Sequence, residues 1–150
     1  MIQRSSQQKL TNLAIATTAL LTLSGGFQPR EVKAAEAWVD VTVNAVGDRF
    51  LVDQNSIERS ENTLRYWEYR QFQRPNNVFL DFEVEQPVYG VMLYRSVECE
   101  TGVVRTRRVV VFDQERQVLQ RVNYDDSGSL TQPMEGSSAA TVIRYVCDRQ

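Results

Sequence analysis

The chain has 150 residues, of which 17 are basic and 19 acidic, and it contains no histidine and only two cysteines. Without histidine, neither a Ser-His nor a Cys-His catalytic pair can be built. The small negative charge gives no overall attraction to nucleic acid or anionic lipid. We therefore expect a non-enzymatic protein that needs no cofactor or metal. A pair of carboxylates in a cleft is the catalytic alternative, although Asp40, Glu68 and Glu83 have the spacing of solvated strand faces.

The N-terminal segment is typical of a cleavable signal peptide. Arg4 and Lys9 precede a charge-free run over residues 10–23, which is too short to span a membrane comfortably. Small residues then predict cleavage after Ala34, with Ala37 as the second choice. An uncleaved N-terminal anchor is the alternative interpretation.

We expect residues 1–34 to be removed and residues 35–150 to form a single exported domain without a membrane span. In that domain 13 basic residues, all of them arginine, stand against 18 acidic residues, so its net charge is −5. Export predicts a periplasmic or secreted protein, and it is compatible with association with the cell surface.

Most of the exported part shows the period-two alternation of strands. In the run 38–45, valines alternate with polar residues, which predicts a half-buried strand with one face in solvent. Turn-forming residues separate it from the strands that follow. The predicted strands cover residues 38–45, 50–53, 63–72, 88–99, 103–112 and 118–124. Pro87 keeps the next strand from starting earlier. Residues 78–86 could pair at a sheet edge, in a register that the sequence does not define.

The last apolar run, over residues 136–147, predicts a helix. Ser137 and Ser138 are good helix caps, and the apolar residues that follow recur at three- and four-residue spacing. Cys147 follows Ile143 by four residues and so lies on the same apolar stripe. The order of strands first and one helix last is typical of a two-layer α+β domain.

The two cysteines are predicted to pair. Cys99 lies on the apolar face of the strand 88–99, and Cys147 lies on the apolar stripe of the helix. In an oxidising compartment an even pair favours a disulfide, which would tie the helix to the sheet. Two free thiols, or half of a metal site, form the alternative, which the absence of histidine and of a CxxC motif disfavours.

Arg105, Arg107 and Arg108 are the one local basic cluster of the exported part. They could bind an acidic partner or a sulfated glycan through bidentate contacts. The alternative, which we favour, is that they form ion pairs with Glu98 and Glu100 across a hairpin. Strict alternation would place Arg105 and Arg107 on one face and Arg108 on the other, so that the three could not form one patch.

The hairpin between the strands 88–99 and 103–112 has two possible loop lengths. A two-residue loop at Thr101 and Gly102 would place Glu98 opposite Arg105. The same register would place Arg95 opposite Arg108, and this unfavourable pair indicates a longer loop.

The aromatic residues Trp67, Tyr69 and Tyr89 also have two interpretations. They could form a recognition surface, because such residues often anchor interfaces. We favour a place in the core under the helix, because a small sheet needs large apolar side chains to bury.

The segment that starts at Asn123 matches the first positions of a calcium-binding loop. Asn123, Asp125 and Ser127 occupy alternate positions before Gly128, as in an EF-hand. The twelfth position is Met134, however, and not the bidentate glutamate that calcium requires. The segment therefore predicts a turn and no metal site.

Four short motifs follow one another along the exported part: W-V-D-V at 38–41, F-L-V-D-x-x-S-I at 50–57, V-E-C at 97–99 and Y-V-C at 145–147. In their order and spacing they resemble the surface-adhesin protein E family. The resemblance covers essentially the whole exported domain. It implies an antiparallel sheet of about six strands, with one C-terminal helix packed on one face and tied to it by a disulfide.

The resemblance also implies a function. Named members of the family look like outer-surface proteins that bind host matrix proteins. We therefore expect an adhesin-like, non-enzymatic module that binds a protein partner, with Arg105, Arg107, Arg108, Trp67 and Tyr69 as the candidate contact residues. The alternative is a periplasmic or lumenal structural or assembly factor, which the absence of a lipid-anchor cysteine after the leader favours. A homodimer formed through a sheet edge is left open.

Overall fold

The computed structural model describes residues 37–78 and 80–149, and the predicted signal peptide, residues 1–34, lies outside them. The described residues form eight strands, one α-helix and two short 3-10 turns. The strands are β1 (Trp38–Val43), β2 (Arg49–Asp53), β3 (Glu58–Ser60), β4 (Thr63–Gln71), β5 (Gly90–Glu98), β6 (Val103–Phe112), β7 (Val118–Asn123) and β8 (Leu130–Thr131). The helix α1 covers Ser138–Cys147.

The strands form one antiparallel sheet. Its main order is β1-β2-β4-β5-β6-β7, with β3 beside β4 and β8 beside β6. Each pair is antiparallel, and most consecutive strands are direct neighbours. The expected α+β architecture, an antiparallel sheet of about six strands with one C-terminal helix, is confirmed.

Helix α1 covers one half of one sheet face, which we call the helix face. Ser137 caps it, as expected, by accepting a hydrogen bond from the Ala140 N–H at 3.1 Å. Its buried residues join a core with side chains from β2, β4, β5 and β6, which comprises Phe50, Val52, Leu64, Tyr66, Val97, Val104, Val142, Ile143 and Val146. The predicted disulfide between Cys99 and Cys147 is present beside this core, with a Cα–Cα distance of 5.7 Å.

The loop between β4 and β5 covers the other half of the helix face. Its residues Leu80, Phe82 and Val84 pack on a second core cluster, which comprises Phe72, Val88, Val91, Leu93, Val109 and Val111. The described residues of this loop contain no strand, so an edge strand over 78–86 is wrong.

The side chain of Asn77 explains why this loop does not join the sheet. Its Nδ2 donates to the carbonyl groups of Val84 and Gln86, and its Oδ1 accepts from the Val88 N–H. These backbone groups are satisfied inside the loop and need no neighbouring strand.

The hairpin between β5 and β6 has the longer loop that the charges indicated. Glu98 pairs with Val103, which leaves four residues in the loop, and the Gly102 N–H donates to the Glu98 carbonyl at 2.8 Å. The pairing of Glu98 with Arg105 that a two-residue loop would give is wrong, because Ser96 lies opposite Arg105.

Candidate functional site

A β-bulge in β6 brings the three clustered arginines to one face of the sheet. Ser96 pairs with Arg105 and Tyr94 pairs with Arg108, so partners that are two positions apart on β5 are three positions apart on β6. Ser96 and Tyr94 share a face, and Arg105 and Arg108 therefore share it too. The Nε of Arg107 also reaches this face, where it donates to the Ser96 hydroxyl at 3.0 Å. The expectation that Arg108 faces the opposite side is wrong.

A short turn after β7 holds two of these arginines. The Nη1 of Arg105 donates to the main-chain carbonyls of Asp126 and Gly128, both at 2.6 Å. Arg107 forms an ion pair with the exposed carboxylate of Asp126 at 2.7 Å. This hydrogen bond and the charge of Arg107 lower the pKa of Asp126. The expected partners Glu98 and Glu100 are not the ones observed; the Glu98 carboxylate instead accepts from Thr101 within the hairpin loop.

The conformation of this turn accounts for the glycine that follows it. Asp125–Ser127 forms a 3-10 turn, in agreement with the turn that the sequence favoured over a calcium loop. Gly128 follows it, and a Cβ atom there would lie only 1.8 Å from the carbonyl oxygen of Thr106 in β6. A glycine is needed for the turn to approach the bulged strand this closely.

Arg108 lies over one ring of an aromatic pair. The rings of Trp67 and Tyr94 are cross-strand partners with centroids 5.0 Å apart, and the Arg108 guanidinium lies 5.5 Å from the Tyr94 ring centroid. The Tyr94 hydroxyl donates to the Glu58 carboxylate at 3.1 Å. Partial burial and this carboxylate raise the pKa of Tyr94. The stack leaves Arg108 exposed at its top.

A second aromatic group lies on the same face, beside a shallow groove. Tyr69 meets Trp38 and Phe112 edge to face, with centroids 6.0 and 6.1 Å away. The Tyr69 ring lies over Gly90, where a Cβ atom would come within 2.7 Å of its hydroxyl. These rings, with Met92 and other residues of the face, line a groove of about 400 Å³.

The structure therefore places Trp67 and Tyr69 opposite the helix, and not in the core under it. Both are half-buried, and the helix packs on the other side of the sheet. Tyr89 lies just before β5 and is half-buried.

The five predicted contact residues, Arg105, Arg107, Arg108, Trp67 and Tyr69, all lie on the face of the sheet opposite the helix. We call this surface the arginine–aromatic face; it also includes Arg65, Trp38, Tyr94 and Phe112.

The arginine–aromatic face differs in charge from the rest of the domain. Near the Trp67–Tyr94 stack, β4 and β6 carry four guanidinium groups, those of Arg65, Arg105, Arg107 and Arg108. Two carboxylates lie beside this group: Glu58 is opposite Arg65 in the sheet and accepts from Tyr94, and Asp126 forms the ion pair with Arg107. A local positive excess thus lies on a domain whose net charge over residues 35–150 is −5.

A comparison with protein families agrees with this fold. The sequence profile of the family described as Surface-adhesin protein E matches residues 38–148. The chain belongs to the surface-adhesin protein E family. A search of curated proteins found no match. A disulfide in this family member is typical of a location outside the reducing cytoplasm.

This adhesin E family domain also contains a buried ion-pair network, which joins Glu68 to Arg70 and Arg95. Glu68, expected on a solvated face, is completely buried on the helix face. Its carboxylate accepts from Arg70 Nε at 2.6 Å and from Arg95 Nη1 at 3.1 Å. Burial alone would raise the pKa of Glu68, but the two arginines outweigh burial and lower it. Burial also raises the pKa of the adjacent Tyr66 to about 12.

A signal for this network is visible in the sequence. Arg95 interrupts an otherwise apolar run of alternate residues, and a buried arginine requires a carboxylate on the same side of the sheet. Glu68 alternates with Leu64 and Tyr66, so it shares their apolar face. Within the described residues we find no cluster of three or more metal-ligating side chains, and no helix is long and apolar enough to cross a membrane.

Proposed function

We propose that this protein is an exported, non-enzymatic binding module that attaches to an acidic segment of a partner protein through its arginine–aromatic face. The bulge in β6 carries the proposal, because it joins Arg105, Arg107 and Arg108 to the aromatic rings on one surface. Membership of the surface-adhesin protein E family supports an adhesin-like role.

The charge of the face selects the chemistry of the partner. Arg108 is exposed and is held in place by the Tyr94 ring. A guanidinium that is already oriented loses little freedom when it binds a carboxylate with two parallel hydrogen bonds. A positive patch on an otherwise acidic domain also orients an acidic partner during encounter.

The groove supplies an apolar anchor point beside this charge. Its volume of about 400 Å³ is within the range of small-molecule pockets, about 300–1,000 Å³, so it has room for one large apolar side chain. Tyr69 and Phe112 in its wall are of the residue types that dominate binding energy at interfaces. An acidic segment that carries one large apolar side chain matches both parts of the face.

Binding to purified extracellular matrix glycoproteins tests this function. We expect saturable binding of the domain to at least one of them, with an affinity that falls as the salt concentration rises. Arg108→Glu should weaken binding at least tenfold, which corresponds to about 1.4 kcal/mol. Arg144→Glu is the matched control, because Arg144 is exposed on the helix, on the other side of the sheet.

Two results would contradict the proposed function. One is the absence of saturable binding to every glycoprotein of the panel. The other is an equal loss of binding in Arg108→Glu and Arg144→Glu, which would show that any arginine contributes equally. Trp67→Ala gives an independent check, because it removes the ring that supports the Arg108–Tyr94 stack and should also weaken binding.

A separate experiment tests the predicted export and cleavage of the protein. We propose cleavage after Ala34, and sequencing the N-terminus of the mature protein tests it directly. Recovery of that protein at the cell surface or in the medium supports the adhesin-like role. Confinement within the envelope would instead favour the structural or assembly role. Light scattering on the purified domain tests whether two copies pair through a sheet edge.

A further inference from the structure

A cavity of about 260 Å³ lies on the helix face, away from the arginine–aromatic face. Its floor is formed by β4, β5 and β6, and its walls by the loop before β5 and by residues around β8. Leu80, Phe82, Leu93 and Val109 provide apolar lining, and the guanidinium groups of Arg70 and Arg95 provide positive charge.

The charges around this cavity do not balance. Arg70 and Arg95 both form ion pairs with Glu68, so one buried carboxylate serves two cations. Glu68 is 0% exposed and Arg95 is 9% exposed. The Nε of Arg95 is buried and has no hydrogen-bond partner among the described residues. This Nε has almost no accessible surface, so an anion in the cavity would not bond to it. The anion would instead offset the excess positive charge of the two guanidinium groups.

The rim contains one further carboxylate. Asp81 lines the cavity opening, is exposed, and accepts a hydrogen bond from the Tyr124 hydroxyl. Burial and this carboxylate together raise the pKa of Tyr124 to about 12. Because Asp81 is in contact with solvent, its charge is screened, and it compensates the buried arginines less than an anion inside the cavity would.

We propose that this cavity binds a small organic carboxylate, with its charged group against Arg70 and Arg95 and a compact apolar group against Leu80 and Phe82. The volume is slightly below that of pockets that bury drug-sized ligands, about 300–1,000 Å³, so the cavity fits a small molecule rather than a peptide. The apolar walls require an apolar body on the ligand, and the guanidinium groups require the carboxylate. The site is separate from the surface proposed for the protein partner.

Benzoate is a suitable probe, and benzamide is its neutral counterpart of nearly the same shape. Titration followed by calorimetry should show saturable binding of benzoate to the folded domain and at least tenfold weaker binding of benzamide. Arg70→Met leaves Glu68 and Arg95 as a balanced pair, so it should lose the preference for benzoate over benzamide. Asp81→Asn removes the carboxylate at the rim and should strengthen benzoate binding.

Two further variants separate a specific site from general attraction to arginine. Ser129→Trp narrows the cavity without changing its ion pairs and should weaken benzoate and benzamide alike. Arg144→Met removes an exposed arginine on the helix and should leave benzoate binding unchanged. The proposal is wrong if benzoate does not saturate the domain below about 10 mM. It is also wrong if benzamide binds equally well or if Arg144→Met weakens benzoate as much as Arg70→Met does.

Discussion

The buried carboxylate of Glu68 should be among the most sensitive positions of the domain. The substitution Glu68→Gln keeps the size of the side chain but removes the charge that Arg70 and Arg95 share. Breaking a buried ion pair from one side leaves uncompensated charge in the core and costs about 3–5 kcal/mol. A domain of this size has a total stability of roughly 5–15 kcal/mol, so much of its stability would be lost.

Thermal unfolding followed by circular dichroism at pH 7 measures this effect. For a domain of this size, about 4 °C of Tm corresponds to 1 kcal/mol, which predicts a decrease of roughly 12–20 °C. Glu83→Gln is the matched control, because Glu83 is exposed in the loop before β5. Its Tm should stay within about 2 °C of the wild type. A Tm for Glu68→Gln equal to that of this control would refute the reasoning.

The same carboxylate gives the stability a dependence on pH. The two arginines lower the pKa of Glu68 in the folded protein below its value in the unfolded chain. The stabilisation of the folded state by the ionised carboxylate is therefore fully present above the pKa of the unfolded chain, about 4.3. It is lost as the pH falls through the lower pKa of the folded protein. The Tm difference between wild type and Glu68→Gln should shrink as the pH falls below about 4. A constant difference down to pH 2 would contradict this assignment.

Three other substitutions test separate parts of the fold by the same thermal unfolding. Cys147→Ser opens the bond to Cys99, 48 residues away, and should cost about 4 kcal/mol in the chain-entropy model; an unchanged Tm would show that the disulfide does not stabilise the helix. Ser137→Ala removes the helix cap and should cost about 1 kcal/mol, whereas the neighbouring Ser138→Ala should cost less. Gly128→Ala forces the turn away from β6 and should cost about 1–3 kcal/mol; full wild-type stability would contradict the observed close approach.

Most of the sheet could be predicted because its strands alternate regularly. The period of two fixes which residues share a face, and the caps and apolar spacing of the last run define the helix. The loop between β4 and β5 could not be predicted in this way. Its apolar residues alternate like those of a strand, but the side chain of Asn77 satisfies its backbone instead of a neighbouring strand.

The alternation of residues along β4 does not determine which of its two faces the helix covers. One face carries Leu64 and Tyr66 together with the charged Glu68, and the other carries Trp67 and Tyr69 together with the charged Arg65. Each face thus mixes large apolar and charged residues, so composition does not decide between them. The ion pair between Glu68 and Arg95 is what allows a carboxylate to lie on the buried face, and it depends on how β4 and β5 are aligned across a long loop.

The bulge in β6 follows from a conflict that strict alternation would create. Val104 and Val109 are both buried, although they are five positions apart and strict alternation would place them on opposite faces. Without a bulge, an alternation that starts from Val104 would direct Arg108 into the core, and one that starts from Val109 would direct Arg107 there. An arginine in the core without a carboxylate is far more costly than the local disruption of one pair of the ladder. The extra residue of the bulge therefore keeps both valines on the helix face and both arginines on the opposite face. The bulge thereby brings the arginines to the arginine–aromatic face.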